Sequence, residues 1–243
     1  MIKDILTDIV EHTHKLGIPL VKIEGTDTAT GLEALAEDKS VVVQAAFKQP
    51  VADFQGTFGM PNLGKLDILL NIEEYKKDSK ITVTSKDRNG VSTLDGIHFE
   101  NAGGDFKNDY RFMSQEIVND KLKKVTFKGA NWDLEFQPTV ASIARLKMQA
   151  AANAEENLFT AKTEDGDLKF EFGDHSTHAG AFVFQPSVEN KLTRAWSWPV
   201  KQVIAILDLD GDKTIHFTNQ GAAQITVDSG LVVYKYLLPA QTK

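Results

Sequence analysis

Apolar side chains recur at helical spacing in two segments of the sequence. The first segment, residues 2–16, carries one apolar stripe opposite a polar face, which predicts an amphipathic helix. The second, residues 138–154, places Ile143, Leu146 and Ala150 on one face and is rich in alanine, a residue that favours helix. The pattern therefore predicts one helix near the start of the sequence and another past its middle.

A second helix is predicted in each half of the chain, beginning at a proline. Pro61 and Pro199 each open a mostly apolar run, and proline suits the first turn of a helix. The two prolines are separated by the same number of residues as Ile5 and Ile143, which hold matching positions in the first helix of each half. This equal spacing indicates an internal duplication. The alternative is that two unrelated halves share the pattern by chance, since short elements align easily.

Runs rich in β-branched and aromatic residues follow each second helix and predict strands. Turn residues such as Asp87-Arg-Asn-Gly and Asp228-Ser-Gly separate the runs, as in antiparallel hairpins. The sequence therefore predicts an α+β fold. The predicted strands are residues 81–84, 96–100, 110–113, 214–217, 224–227 and 234–238.

A connector between two domains is predicted where the periodicity fades. Residues 114–124 are polar and charged with little periodic pattern, as is common between domains. We place domain 1 in residues 1–118 and domain 2 in residues 119–243. Both are of ordinary domain size.

Composition narrows the classes of function. The sequence contains no cysteine, which excludes disulfides, thiolate nucleophiles and zinc fingers and fits a reducing cytoplasm. No apolar run is long enough to span a bilayer, and the first residues do not form a signal peptide. The formal net charge of −7 argues against a generally basic, DNA-gripping surface. Contact with DNA would therefore need a locally basic face.

Two short motifs resemble ligand sites but lack necessary residues. The spacing of Gly59, Gly64 and Lys65 matches a phosphate-binding loop, yet Leu66 stands where that loop needs a hydroxyl side chain, and a proline within it removes one amide donor. The histidines His175 and His178 have no third ligand indicated nearby. We therefore expect no catalytic residue, no cofactor and no metal, and thus no enzyme.

The order of elements resembles the sliding clamps of T4-like bacteriophages, the processivity factors of DNA polymerases. Residues 62–70, 135–146 and 231–239 carry the resemblance, together with the duplicated order and the length. It implies a duplicated processivity-clamp (DNA clamp) fold in which each of two similar domains has antiparallel sheets outside and two helices inside. Three subunits would join head to tail into a closed ring, because each chain holds two domains and the ring needs six.

The resemblance also implies a function and partners. The ring would encircle double-stranded DNA without sequence preference and tether the replicative DNA polymerase. An ATP-driven clamp loader would open it, and a late-transcription factor would be a further partner. The other partner is the chain itself, as a homotrimer in the cytoplasm of the host cell, with no membrane involved.

Candidate site residues follow from that arrangement. If Ile143, Leu146 and Ala150 face inward, helical geometry turns four residues outward: Ser142, Arg145, Gln149 and Asn153. Polar residues of the helices are expected to face the DNA: Lys3, Lys15, Lys65, Arg145, Lys147, Gln149 and Lys201. By analogy with the clamps, residues near the connector and the last strand are expected to bind a hydrophobic partner peptide: Met113, Ile117, Val118, Leu237, Leu238 and Pro239.

Two other functions remain open on the sequence. One is an oligomeric phage structural or assembly protein, which would show no topological hold on circular DNA. The other is a small-molecule-binding protein or hydrolase of the α+β class, which a ligand in a deep pocket would favour. A trimeric mass in solution would favour the clamp over both.

Overall fold

A computed structural model describes residues 2–88, 90–122, 129–174 and 178–241 of the chain. The chain divides into two compact units. Unit 1 contains residues 1–126 and 229–234, and unit 2 contains residues 127–228 and 235–243. Of the predicted connector, residues 123 and 124 lie outside the described part, as does His175 of the histidine pair.

Unit 1 begins with a helix whose apolar face is buried at Leu6, Ile9 and Val10. A 3-10 turn, His14–Leu16, follows it, and a second such turn, Glu73–Tyr75, follows the next helix. The elements of unit 1 are α1 (Ile2–Thr13), β1 (Leu20–Gly25), β2 (Thr30–Leu35), β3 (Val42–Phe47), β4 (Gly56–Pro61), α2 (Leu63–Asn71), β5 (Lys80–Arg88), β6 (Val91–Glu100), β7 (Lys107–Arg111) and α3 (Gln115–Lys121).

The strands of unit 1 form antiparallel sheets in the orders β3-β2-β1-β4 and β5-β6-β7. Residues 229–234 lie beside β3, where the Lys48 amide donates to the Leu231 carbonyl at 2.9 Å. On the outer edge of β4, Gly59 and Met113 exchange two backbone hydrogen bonds of 2.9 and 2.8 Å. The segment after β7 is thereby joined to β4.

Unit 2 has the sheet orders β11-β10-β9-β12 and β8-β13-β14-β15. In its first sheet, as in that of unit 1, the chain runs through three neighbouring strands and then places the fourth beside the first. Residues 235–239 of the last strand belong to this unit. Its elements are β8 (Leu134–Phe136), α4 (Val140–Ala152), β9 (Leu158–Glu164), β10 (Asp167–Phe172), β11 (Gly180–Gln185), β12 (Trp196–Pro199), α5 (Val200–Leu207), β13 (Asp212–Thr218), β14 (Ala222–Asp228) and β15 (Val232–Pro239).

The helices α1, α2, α4 and α5 and the predicted strands after them are confirmed, with shifted ends. The prolines were placed wrongly. Pro61 ends β4, with α2 starting at Leu63, and Pro199 ends β12 and caps α5. Proline is tolerated at the end of an edge strand because no hydrogen bond of the ladder requires its N–H there. No helix within the described ranges is long and apolar enough to cross a membrane.

Part of the predicted connector is helical. Residues 115–121 form α3, and its Val118 is fully buried against β4. The close approach is possible because residue 59 is glycine: a Cβ there would lie 2.8 Å from Val118 Cγ2. A polar sequence with one apolar residue on the buried side carries little periodicity, so the sequence did not predict this helix.

Candidate nucleic-acid and partner surfaces

The two lysines predicted to face DNA at the start of the chain are both engaged within unit 1. Lys3 Nζ donates to the Tyr75 carbonyl at 2.7 Å. Lys15, in the 3-10 turn after α1, lies 3.5 Å from the Glu11 carboxylate. The hydrogen bond holds the Lys3 ammonium within the fold, and the Glu11 carboxylate partly compensates the charge of Lys15.

Lys65 of α2 and Lys201 of α5 are exposed, as the sequence predicts. The opposite faces of their helices are buried, at Leu66 in α2 and at Val203 in α5. None of the described side chains forms a hydrogen bond or ion pair with either ammonium group. Each lysine is therefore a solvated cation that a phosphate could approach without first breaking an ion pair.

The predicted orientation of α4 is confirmed at the buried Leu146 and the exposed Arg145, but it is wrong for Ser142 and Asn153. Ser142 and Asn153 are buried, and Gln149 is half-buried against β11, where a Cβ on Gly180 would lie 2.4 Å from Gln149 Oε1. The buried polar groups are satisfied locally, since Thr139 Oγ1 accepts from the Ser142 amide at 3.0 Å and Asn153 Nδ2 donates to the Gln149 carbonyl at 2.8 Å. Gln149 is therefore partly engaged in packing against β11.

Arg145 and Lys147 are the exposed cations of α4. Arg145 Cζ lies 5.4 Å from the centre of the Phe182 ring, a cation–π distance. Lys147 forms an ion pair with Asp208, and both side chains are 45% exposed. Arg145 therefore keeps its charge available to an anion, whereas the charge of Lys147 is partly compensated.

The predicted partner contacts of unit 1 differ in accessibility. Ile117 is 51% exposed, whereas Val118 is fully buried and Met113 is bonded through its backbone to Gly59. A partner peptide could not reach Val118 without displacing α3 from β4. Val118 is therefore a packing residue, and Ile117 is the accessible apolar side chain of α3.

The predicted contacts of the last strand are mostly core residues. Leu237 and Leu238 are 4% and 1% exposed, while Pro239 is exposed. Leu238 lines an internal void of about 10 Å³ in unit 2, and its carbonyl accepts from Trp198 Nε1 at 3.2 Å. The expectation that Leu237 and Leu238 both contact a partner is wrong in this conformation, because they complete the core.

A buried ion-pair network in unit 1 was missed by the sequence analysis. Lys22 is 5% exposed and lies 2.7 Å from Glu24 and 2.9 Å from Glu33. Burial lowers the pKa of Lys22, but its hydrogen bonds to the two carboxylates outweigh burial and raise that pKa above its usual value. Alternation of charges along β1 and β2 is the sequence signal that could have indicated it.

Tyr110 is another buried polar residue of unit 1. The Tyr110 hydroxyl donates to the Pro61 carbonyl, and burial raises the pKa of this phenol above its ordinary value. The contact joins β7 to the end of β4. Tyr110 is therefore a structural donor that fixes the start of α2.

Comparison with known proteins identifies the fold. No protein-family model and no curated protein sequence matches the chain. Among solved structures, one described as the C-terminal region of FEN-1 bound to A. fulgidus PCNA has a TM-score of 0.70 and 10% identity, covering 99% of this chain and 96% of that chain. The chain has a PCNA-like clamp fold. At this identity the likeness establishes the fold alone; the clamp fold here consists of antiparallel sheets with few helices.

Proposed function

We propose that this chain is the subunit of a DNA sliding clamp, the processivity factor of a replicative polymerase. Three copies would close into a ring around duplex DNA, as in the clamps of T4-like bacteriophages. The observation that carries the proposal is the PCNA-like fold extending over 99% of the chain. The activity would be topological: a tethered polymerase rebinds at high effective concentration instead of dissociating.

Strand edges support ring assembly. In unit 1, β3 has residues 229–234 beside it. In unit 2, the corresponding strand β11 stands at the end of the sheet order, and so does β7 in unit 1. An open edge invites pairing with another chain. We propose that the two units are copies of one module and that β11 of one subunit pairs with β7 of the next, a head-to-tail contact that closes into a trimer.

The charge distribution supports loose contact with DNA. The chain has a formal net charge of −7, yet Lys65, Lys201 and Arg145 present exposed cations on helices. Few phosphate contacts give weak, salt-sensitive binding without sequence preference. A ring that holds DNA topologically needs no more, and weak contact permits sliding.

The proposed partners are the polymerase, an ATP-driven clamp loader and a late-transcription factor, all in the host cytoplasm. Among the residues predicted to bind a partner peptide, Ile117 and Pro239 have exposed side chains and are the contacts we retain. A hydrophobic peptide would bury such side chains at an interface core.

Assembly is tested by the mass of the purified chain. Light scattering across a concentration series is expected to approach three times 26.8 kDa. Chemically cross-linked rings loaded on nicked circular DNA should remain bound and should slide off once the DNA is linearised. A monomer or dimer at every concentration, or equal retention on circular and linear DNA, would contradict the proposal.

The DNA-facing surface is tested by charge removal. The double variant Lys65→Ala and Lys201→Ala should shorten the processive tract of the polymerase severalfold, because both side chains lack ion-pair partners among the described residues. Stability should change by no more than about 0.5 kcal/mol, as is usual for exposed sites. Lys191→Ala removes another exposed lysine, in a loop of unit 2, and serves as the control.

A further inference from the structure

A surface cavity of about 660 Å³ lies entirely within unit 1. One wall is the beginning of β4 with the loop before it, and the opposite wall is the distal half of the β5–β6 hairpin. The floor includes Phe112 and the segment that follows it. The cavity is far larger than the space one water molecule needs. Met113, one of its lining residues, is also among the predicted partner contacts.

The cavity lies where a strand beside the first half of β6 would continue β7. β6 pairs with β5 along the whole hairpin, but it pairs with β7 only over residues 96–100. The chain then passes from β7 to Met113, which pairs with Gly59, and turns away into α3. Among the described residues, the part of β6 before Asp95 therefore has no strand on the side where β7 would have continued.

One backbone edge is open toward this space. Gly59 bonds to Met113 through both its amide and its carbonyl, which therefore point away from β1. Gly59 and Lys22, which lie opposite each other on β4 and β1, thus form a non-hydrogen-bonded pair. Antiparallel pairs alternate, so Glu24 and Thr57 also form such a pair. The amide and carbonyl of Thr57 thus point out from the same edge as those of Gly59. None of the described groups bonds to them.

The side chains that line the cavity specify the chemistry of an occupant. Phe58 and Phe112 stack with their ring centres 4.3 Å apart. Phe58 is buried beneath, and the half-buried Phe112 ring offers the apolar surface. The charged residues lining the cavity within the described chain are Asp53, Asp95 and Glu116, all acidic. Arg111, which pairs with Asp95, is the basic residue beside this wall. The field inside therefore favours cations.

We propose that this cavity is a docking site for an extended basic peptide of a partner protein. The peptide adds as a strand in the place that β7 leaves, bonding to the amide and carbonyl of Thr57. Alternate side chains of the peptide contact different walls of the cavity. An apolar side chain packs on Phe112, and lysine or arginine side chains reach Asp53 and Glu116. Main-chain bonds give affinity and the acidic walls give the preference for basic sequences.

The proposal does not depend on ring assembly, because all lining residues belong to unit 1 of a single chain. It also differs from the hydrophobic-peptide contacts retained above, which lie at Ile117 and Pro239. A free basic peptide can therefore be tested on the purified chain without DNA, loader or polymerase.

The test is selection of random capped heptapeptides displayed on phage, followed by binding measurements on the enriched peptides. Thr57→Pro removes the outward amide without breaking a β1–β4 ladder bond, since proline is tolerated at an edge strand. Thr57→Val keeps that amide and is the matched control. We expect enriched peptides to alternate apolar with basic residues and to lose about tenfold in affinity with Thr57→Pro but not with Thr57→Val.

A second pair of variants protects the test against misfolding. Asp53→Asn with Glu116→Gln lowers the charge of the walls at two exposed positions, and should weaken the same peptides severalfold, whereas Asp27→Asn at an exposed position on another loop should not. If enrichment gives acidic or proline-rich peptides, or no peptide at all, the proposal is overturned. Equal affinity across the threonine and the carboxylate variants would overturn it as well.

Discussion

Units 1 and 2 order the strands of their first sheets alike, but they fill their interiors differently. The core of unit 2 is a cluster of rings in which Phe170 lies 4.4 Å from Phe159 and 4.3 Å from Phe184, measured between ring centres. In unit 1, the Tyr234 hydroxyl donates to the buried Asp8 carboxylate at 2.7 Å, and the same tyrosine ring stacks on His12 at 4.5 Å.

Both units bury mainly apolar and aromatic side chains, and unit 1 adds a directional polar contact to its core. Apolar burial is non-directional and grows with the area removed from water. Buried polar bonds are directional, and each is costly to leave unmade. Among the described residues, unit 2 has a void of about 10 Å³ lined by its aromatic cluster, and unit 1 has a surface cavity of about 660 Å³.

The largest expected effect is in the aromatic core of unit 2. Phe170 is 1% exposed, and Phe170→Ala should lower the free energy of unfolding by about 3 to 5 kcal/mol because the cavity it leaves cannot be filled by neighbouring rings. Phe106 of unit 1 is 40% exposed with its ring centre 5.5 Å from that of Tyr75, so Phe106→Ala is the control and should cost far less. Urea unfolding followed by circular dichroism measures both, and equal costs would contradict the comparison.

A glycine in each unit tests how rigid the packing against a strand is. A Cβ at Gly59 would lie 2.8 and 3.0 Å from two atoms of Val118, a branched side chain held in the core, so Gly59→Ala should cost about 1 to 3 kcal/mol. At Gly180 the Cβ would lie 2.4 Å from Gln149 Oε1 and 2.7 Å from Asn153 Nδ2, which are hydrogen-bonded to each other. Gly180→Ala should therefore also destabilise, through displacement of two polar side-chain ends and not through a clash with a branched apolar side chain.

A double variant tests whether the clash with Val118 causes the loss of stability in Gly59→Ala. Adding Val118→Ala to Gly59→Ala should cost less than the sum of the two single substitutions, because the smaller side chain removes the clash. Additive costs in urea unfolding would show that the strain lies elsewhere than between β4 and α3.

The sequence patterns predicted the positions of the helices better than they predicted which side of each helix is buried. The helices α1, α2, α4 and α5 were predicted because apolar residues at helical spacing must face a core. On α4, Leu146 and Arg145 face as predicted, but Ser142 and Asn153 do not. These two are buried with hydrogen bonds to neighbours, a compensation that hydrophobicity does not record.

The candidate site was less predictable than the fold. Strand alternation should expose one of Leu237 and Leu238, yet both are buried, the second under Trp198. The exposure of Lys65 and Lys201 was predictable because each stands apart from the apolar stripe of its helix. The cavity of unit 1 was not predictable, because it depends on where β7 stops pairing with β6, which local sequence does not specify.

The smallest expected effect is on the pH dependence of stability, and it is tested at one surface carboxylate of each unit. In unit 1, the hydrogen bond from Lys107, at 2.9 Å from Glu100, is the main cause that lowers the pKa of this glutamate from 4.5 to about 2, with a further contribution from Lys80. In unit 2, Lys169 lies 2.7 Å from Glu164 and lowers the pKa of that carboxyl as well. Glu100 is the less exposed of the two, at 18% against 48%.

Glu100→Gln should therefore flatten the acid dependence of stability more than Glu164→Gln does. A carboxylate whose pKa is lower in the folded chain than in the unfolded chain stabilises the fold fully above the unfolded value of 4.5, and this contribution is lost as the pH falls toward about 2. Urea midpoints measured between about pH 5 and pH 2 should fall less steeply for Glu100→Gln than for the parent chain, with Glu164→Gln in between. The variants should therefore lie furthest below the parent near pH 5 and converge with it as the pH approaches 2. The difference should be small, because exposed ion pairs contribute little. If both variants follow the parent curve throughout, the lysines do not hold these carboxylates in their charged form.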